Sequence, residues 1–168
     1  MTNASDATIW GVELEAQAVL GDGLTLRANV GYLDTGYDDF QYTDGVSGET
    51  SDLSYLEFRR APDFTGTIDA TYEWPMSNGR VWVRGAYHFL GEHYVNVTNS
   101  PELQNDDQHL LDASVNWEID GLRLSVFGRN LTDEDGYTHG YDVAGLWSYA
   151  ATRPPTTIGA EIVYNFGN

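Results

Sequence analysis

The groups suited to chemistry in this 168-residue chain are four histidines, 26 carboxylates and a large set of aromatics. His88 and His93 stand close enough to pair on a metal, while His109 and His139 are isolated. None has the helical spacing that fixes two imidazoles on one face, so all four read as solvent-facing side chains. Asp38-Asp39 and Asp133-Glu134-Asp135 offer oxygen ligands for calcium but lack the spaced ligand series of a binding loop. Ser, His and Asp all occur, yet no Gly-x-Ser-x-Gly elbow marks a nucleophile. No glycine-rich loop leads from a strand into a helix, so nucleotide binding has no support. The absence of cysteine excludes disulfides, thiolate zinc sites and a cysteine nucleophile. Eight arginines, no lysine and a net charge of -18 leave no basic stripe to neutralise phosphates, which excludes nucleic acid as a partner. Neither catalysis nor a cofactor is expected. What remains is binding by aromatics with hydrogen-bonding neighbours: Tyr37, Phe40, Tyr42, His93, Tyr94, Tyr141, Trp147 and Tyr149.

The elements that must position these groups are strands. Trp10, Val12, Leu14, Ala16 and Ala18 alternate with Gly11, Glu13, Glu15 and Gln17. After Gly21-Asp22-Gly23, the series Leu24, Leu26, Ala28, Val30 and Tyr32 alternates with Thr25, Arg27, Asn29 and Gly31. A period of two means extended chain with one apolar and one polar face. The pattern returns at Phe64 to Trp74, at Val81 to Phe89, at Leu111 to Ile119, at Leu122 to Val126 and at Ile158 to Phe166, giving about seven strands. Gly21 to Gly23, Pro75 to Gly79 and Asp120-Gly121 read as tight turns. Long polar loops fall near Thr35 to Ala61, Gly91 to Gln108 and Thr132 to Thr156.

Short turns alternating with long loops, on strands of about ten residues, are the rhythm of a transmembrane β-barrel. Trp74, Trp82, Trp117, Tyr164 and Phe166 lie toward the short turns, and Tyr32, Tyr87 and Phe89 toward the loops, as two interfacial girdles require. The fold expected is therefore all-β: an antiparallel transmembrane β-barrel segment with short periplasmic turns and long extracellular loops. A secreted or periplasmic β-sandwich binding carbohydrate would show the same alternation and stands as the alternative. Glu13, Glu15, Arg27, Arg84 and Arg129 belong to the polar, lumen-facing set, with Asn29, Asp69, Glu73, Glu118 and Arg123 beside them.

The chain resembles the carboxy-terminal part of a TonB-dependent outer-membrane receptor. Asn3-Ala4 with Gly11-Val12-Glu13-Leu14-Glu15, the strand Gly23 to Tyr32, Arg60-Ala61-Pro62, Gly128 to Glu134 with Tyr137, and Arg153-Pro154-Pro155 carry the likeness in order over residues 1–168. Thr157, Gly159, Ile162, Tyr164 and Phe166 resemble the carboxy-terminal signal read by the barrel assembly machinery, although the chain continues to Gly167-Asn168. Such reading is β-augmentation on an open strand.

The resemblance implies a bacterial outer-membrane location, lipid around the wall, and uptake of a scarce small molecule of the siderophore, cobalamin or glycan class. Tyr42, His93, Tyr94, Tyr141, Trp147 and Tyr149 would be the ligand-contacting loop residues. Family members close about 22 strands around a plug. TonB would act only through that plug, which these residues do not include. Seven strands leave two open edges, so the chain is expected to be a fragment that is inactive alone. Three sequons, Asn3-Ala4-Ser5, Asn96-Val97-Thr98 and Asn130-Leu131-Thr132, carry no meaning in such a protein.

Overall fold

The computed structural model describes residues 6–44, 47–143 and 146–166. Asn3-Ala4-Ser5 and Gly167-Asn168 lie outside the described residues. The strands in chain order are β1 (Asp6–Leu20), β2 (Leu24–Asp39), β3 (Gln41–Thr43), β4 (Thr50–Asp52), β5 (Phe64–Met76), β6 (Gly79–Leu90) and β7 (His93–Tyr94). They continue as β8 (Gln104–Asn105), β9 (Gln108–Ile119), β10 (Leu122–Arg129), β11 (Tyr137–Val143), β12 (Trp147–Thr152) and β13 (Thr157–Tyr164). One seven-stranded sheet runs β1-β2-β5-β6-β9-β10-β13, every neighbour antiparallel. The three short pairs, β3-β4, β7-β8 and β11-β12, are separate ribbons within the long loops.

The alternation fixes which side chains share a face. Ala18, Leu26, Ala70, Gly85, Ala113, Gly128 and Ile158 stand opposite one another in a single row across all seven strands. The next row is Leu20, Leu24, Tyr72, Val83, Val115, Val126 and Ala160. Leu20 sits at a turn while Ala160 lies within β13, the stagger that tilted barrel strands produce. Among the described residues no second sheet lies against this apolar face: Leu14 is 70% exposed and Ile158 and Ile162 are each 74% exposed. A sandwich would bury it, so the single layer overturns the β-sandwich alternative.

The tight turns follow the residues. Asp120 and Gly121 both take positive φ, 46° and 80°, the pair of values a two-residue type I′ hairpin needs. The turn expected over Pro75 to Gly79 is narrower: Pro75 and Met76 still pair with Arg80 and Gly79, leaving Ser77 and Asn78 as the loop. Proline is tolerated there because the β2 partners of β5 end at Tyr72, so no ladder bond is lost. At the opposite end β2 runs on to Asp39, beyond the expected loop start.

Two aromatic groups mark the edges of the apolar face. Trp10, Tyr32 and Phe64 touch in series toward the long loops, with ring centroids 5.7 and 5.0 Å apart. Trp74, Trp117 and Tyr164 face outward toward the short turns. Trp82 does not join them. Its register opposite Glu73 and Asn116 turns it to the polar face, where the Arg80 guanidinium lies 4.7 Å over its ring.

Candidate functional site

The polar face carries a ladder of charges set by strand register. Asp69 is buried between two arginines of the neighbouring strands, Arg27 at 3.5 Å and Arg84 by a direct N–H donation from Nε. Gln17 of β1 accepts from Arg27 Nε at 3.3 Å. Nearer the short turns Arg80 pairs with Glu73 at 3.2 Å and with Glu118 at 3.4 Å, and Arg123 pairs with Glu161 at 3.3 Å. Arg27 and Arg84 keep more than half of their side-chain surface open, so each pair is modest and the network gives shape to a wet wall. Arg129 faces the same side with its guanidinium 5.3 Å over Phe127.

Phe127 in turn covers Gly159, where a Cβ would enter the ring. The glycine of the assembly-signal pattern therefore has a packing reason of its own. Thr157, Ile162 and Tyr164 share β13 with it, and Phe166 packs edge-on against Tyr164 at 4.8 Å.

Above the sheet the three long loops knit into a crown. Asn130 leaves β10 with φ 49° and holds the return to β13. Its side-chain amide donates to Glu134 O (3.0 Å) and Pro154 O (3.1 Å), and its Oδ1 accepts from the Glu134 N–H at 2.8 Å. The Thr156 hydroxyl and N–H both donate to Asp133 Oδ1, which holds the Asp133 pKa below the ordinary carboxylate value. Asp52 on β4 is likewise lowered, by the hydroxyl and N–H of Ser54. Gln108 bridges Arg153 (2.7 Å) and Asp135 O (3.1 Å), and Asn105 exchanges two bonds with the backbone of Tyr137.

One residue touches all three loops. Arg60, from the first, donates its backbone N–H to Tyr94 O of the second at 2.7 Å. Its Nη2 reaches Thr138 O and His139 Nδ1 of the third, at 2.7 and 3.1 Å. Since guanidinium only donates, His139 accepts there as a neutral ring and gives its Nε2–H to the Tyr149 hydroxyl at 3.3 Å.

The candidate binding residues divide by environment. Tyr141, Trp147 and Tyr149 form one exposed ladder on the β11-β12 ribbon, with centroids 6.4 and 6.1 Å apart. Tyr42 is exposed on β3, apart from that ladder, and Tyr94 is half-buried. His93 is buried, its Nδ1–H donating to Gly91 O at 2.8 Å and its Nε2 accepting from Asn105 at 3.1 Å. Both nitrogens are occupied within the fold. Of the other loop aromatics, Phe40 is buried, and Tyr37 packs between it and Phe58 at 4.8 and 4.3 Å. His88 bonds Thr67 at 3.1 Å, and among the described residues no group of His, Asp and Glu is arranged to hold a metal ion.

Arg60, Asn105, Gln108 and Arg153 organise the crown, yet as binding elements they leave no periodic trace in the sequence. Only the Arg60-Ala61-Pro62 and Arg153-Pro154-Pro155 motifs hint at two of them.

A one-layer antiparallel sheet, apolar outside and ion-paired inside, with tight turns at one end and structured loops at the other, is the wall of a transmembrane β-barrel. The barrel is not closed by these seven strands. The model of the TonB-dependent receptor-like β-barrel family matches residues 1–131, and the chain belongs to that family. Two solved structures share its fold. The ferric yersiniabactin uptake receptor FyuA from Yersinia pestis matches with a TM-score of 0.77 at 23% identity, over 96% of this chain and 24% of that one. The siderophore receptor PiuA from Acinetobacter baumannii matches with a TM-score of 0.74 at 18% identity, over 94% and 22%. The chain spans about a quarter of the length of these receptors.

Proposed function

We propose that the chain is the carboxy-terminal wall segment of an outer-membrane receptor that takes up a small iron-chelate or comparably scarce ligand, and that it is inactive alone. The observation that carries this reading is the continuous apolar row from Ala18 to Ile158, backed on the other face by the ladder around Asp69. Lipid is the partner of the first face, and the hydrated barrel interior is the surrounding of the second. The exposed ladder of Tyr141, Trp147 and Tyr149 is the ligand-contacting element, with Tyr42 and Tyr94 on the neighbouring loops. The edge of β13 is the part offered to the barrel assembly machinery, through Thr157, Gly159, Ile162, Tyr164 and Phe166. TonB acts on a plug supplied outside these 168 residues. The siderophore class is favoured over cobalamin and glycans because the two structural neighbours are a ferric yersiniabactin uptake receptor and a siderophore receptor.

The coding DNA upstream of Met1 tests the reading. A frame open for roughly 500 codons of alternating strands and a plug is the expected result, given the span of the chain on its neighbours. Uptake of radiolabelled ferric siderophores by cells carrying that full product then checks the ligand class. Recovery of the chain as a detergent-free, monodisperse protein would sink the membrane reading.

A further inference from the structure

Two imidazoles stand at the joints of the crown, and in both the neighbouring groups dictate which nitrogen carries hydrogen. Asn105 accepts the Tyr137 N–H on Oδ1 at 2.7 Å and donates from Nδ2 to Tyr137 O at 3.0 Å. That backbone pair fixes the amide, so the Nδ2 that meets His93 Nε2 at 3.1 Å donates there as well. Gly91 O only accepts, which puts the His93 hydrogen on Nδ1. At His139 the Arg60 guanidinium imposes the reverse: Nδ1 is bare, and Nε2 carries hydrogen toward the Tyr149 hydroxyl. Both rings are therefore neutral, in opposite tautomers, and each accepts from a group that can only donate.

A proton on either ring turns that acceptor into a donor facing a donor. His93 is then answered by turning the Asn105 amide over, which breaks both Tyr137 bonds and with them a joint between the second and third loops. His139 becomes a cation 3.1 Å from Arg60, the residue that ties the first loop to the other two. Carboxylates do not offset this. Among the described residues all five ion pairs are made by arginine and none by histidine. On the first loop Glu57 and Arg59 lie near Arg60 in the chain. Tyr137, Tyr141 and Asp142 share the His139 strand, and Glu102 lies on the short 3-10 helix Pro101–Leu103 packed against it. Asp142 accepts from the Ser100 hydroxyl at 3.2 Å. Around His93, Tyr94 shares its strand and Asp106 and Asp107 follow Asn105, Asp107 accepting the Glu92 N–H at 3.0 Å.

We propose that His93 and His139 are proton-operated clasps of the crown. Neutral, they hold the β11-β12 ribbon against the first and second loops; protonated, they release it. Imidazole is the side chain whose charge ordinarily changes between about pH 5 and 8, a range in which carboxylates stay mostly ionised. The His139 ring also lies 5.9 Å from that of Tyr149, at the inner end of the aromatic ladder. Tyr141, Trp147 and Tyr149 are thereby steadied at neutral pH and freed in mild acid. That this ladder meets a ligand rests on the receptor reading; the clasps themselves do not.

The test is hydrogen exchange of the whole chain in detergent micelles at about pH 8 and about pH 5, corrected for the intrinsic pH dependence of exchange. Amides of β7-β8 and β11-β12 should exchange about tenfold faster in acid, while those of β5 and β6 keep their protection. Two substitutions keep the acceptor and remove the titration. In His139→Asn the amide oxygen takes the place of Nδ1 before Arg60, and in His93→Gln it takes the place of Nε2 before Asn105. The first should abolish the acid response of β11-β12, the second that of β7-β8, and the double variant both. Imidazole nitrogen shifts of the unaltered chain at about pH 8 give a check that needs no variant: His93 should carry hydrogen on Nδ1 and His139 on Nε2. The opposite tautomer at either ring, no acid response in the unaltered chain, or an equal response in the double variant would each overturn the proposal. The readout needs neither lipid nor ligand, so failure of the receptor reading leaves it unchanged.

Discussion

The sheet and the loop crown are built from the same chain on opposite rules. In the sheet most large hydrophobes face outward, Trp82, Leu110 and Phe127 being exceptions, and the buried residues inside are chiefly small or polar, among them Ala86, Asp69, Asn116 and Ser125. In the crown the order is that of a water-soluble domain. Val95 and Leu103 are 1% and 2% exposed, and around them Asn96, Asn105 and Gln108 are buried with their amides bonded. The sheet relies on its backbone ladder and, on the proposed receptor reading, on a surrounding apolar phase. The crown carries its own small core, in which buried polar groups must find partners within the protein. Exposure therefore means different things in the two regions.

The largest expected effect separates those meanings. Val115 in the sheet is 55% exposed and Val97 in the crown 42% exposed, so by surface area alone they are equivalent. Val115→Arg should destabilise the receptor in a bilayer by about 2–4 kcal/mol, because a guanidinium replaces an isopropyl group on the apolar face. Val97→Arg should change stability by less than about 0.5 kcal/mol, since its surroundings are water. Urea unfolding of the receptor in lipid vesicles, followed by tryptophan fluorescence, measures both. Equal losses would erase the distinction between the regions.

The next effect falls at their junction. Asn130→Ala removes a side chain that bonds Glu134 and Pro154, at a positive φ that asparagine tolerates better than alanine. A loss of about 2–3 kcal/mol is expected. Hydrogen exchange should show it first in residues 130–156 and in the β10-β13 pairing, with β1 and β2 unaffected.

The two regions also differ in how much of them the sequence betrays. The sheet was legible because one physical rule, side-chain alternation at a period of two, runs through every strand and is punctuated by glycine turns. Gly21, Gly121 and the pairs around them needed nothing else. Trp82 shows where that rule was outvoted by an expectation of girdles: its even number sets it opposite Glu73, with the polar face. The crown has no period. Asn105 and Gln108 are ordinary polar loop residues in sequence, and they become buried only because Tyr137, Asp135 and Arg153 fold over them from some 30 to 45 residues away. His93 looked available for the same reason, since nothing local announces that Gly91 and Asn105 occupy both its nitrogens. The open tyrosine and tryptophan ladder was legible as composition, but its assembly on one ribbon face depends on the Tyr141 to Tyr149 register.

A smaller effect probes the polar face of the sheet. Asp69→Asn leaves Arg27 and Arg84 facing each other across a neutral amide. Both arginines are more than half open to water, so the cost should be about 1 kcal/mol and should shrink as salt is raised from low ionic strength. A cost that does not respond to salt would mean that Asp69 acts through packing, as residues of the crown do.

The smallest effect is a pH dependence confined to the crown. The Asp133 carboxylate accepts two bonds from Thr156, and its pKa lies below the ordinary value of 3.8. A carboxyl lowered on folding binds its proton more readily when unfolded. Its contribution is therefore complete above the ordinary value and is lost as pH falls below it through the lowered one. The turn that joins Asn130 to Thr156 should accordingly loosen only in strong acid, by a few-fold in the exchange rates of residues 130–136. Asp133→Asn should remove that acid dependence while leaving the turn closed at neutral pH, since the amide oxygen still accepts from the Thr156 N–H. The Asp69 pairs, by contrast, join side chains on three strands of the sheet, so their loss would be read in the exchange of β2, β5 and β6 and not in the loop. Acid loosening that appears first in those strands would place the titration in the wall and break the division between a wall governed by its surroundings and a crown governed by its own hydrogen bonds.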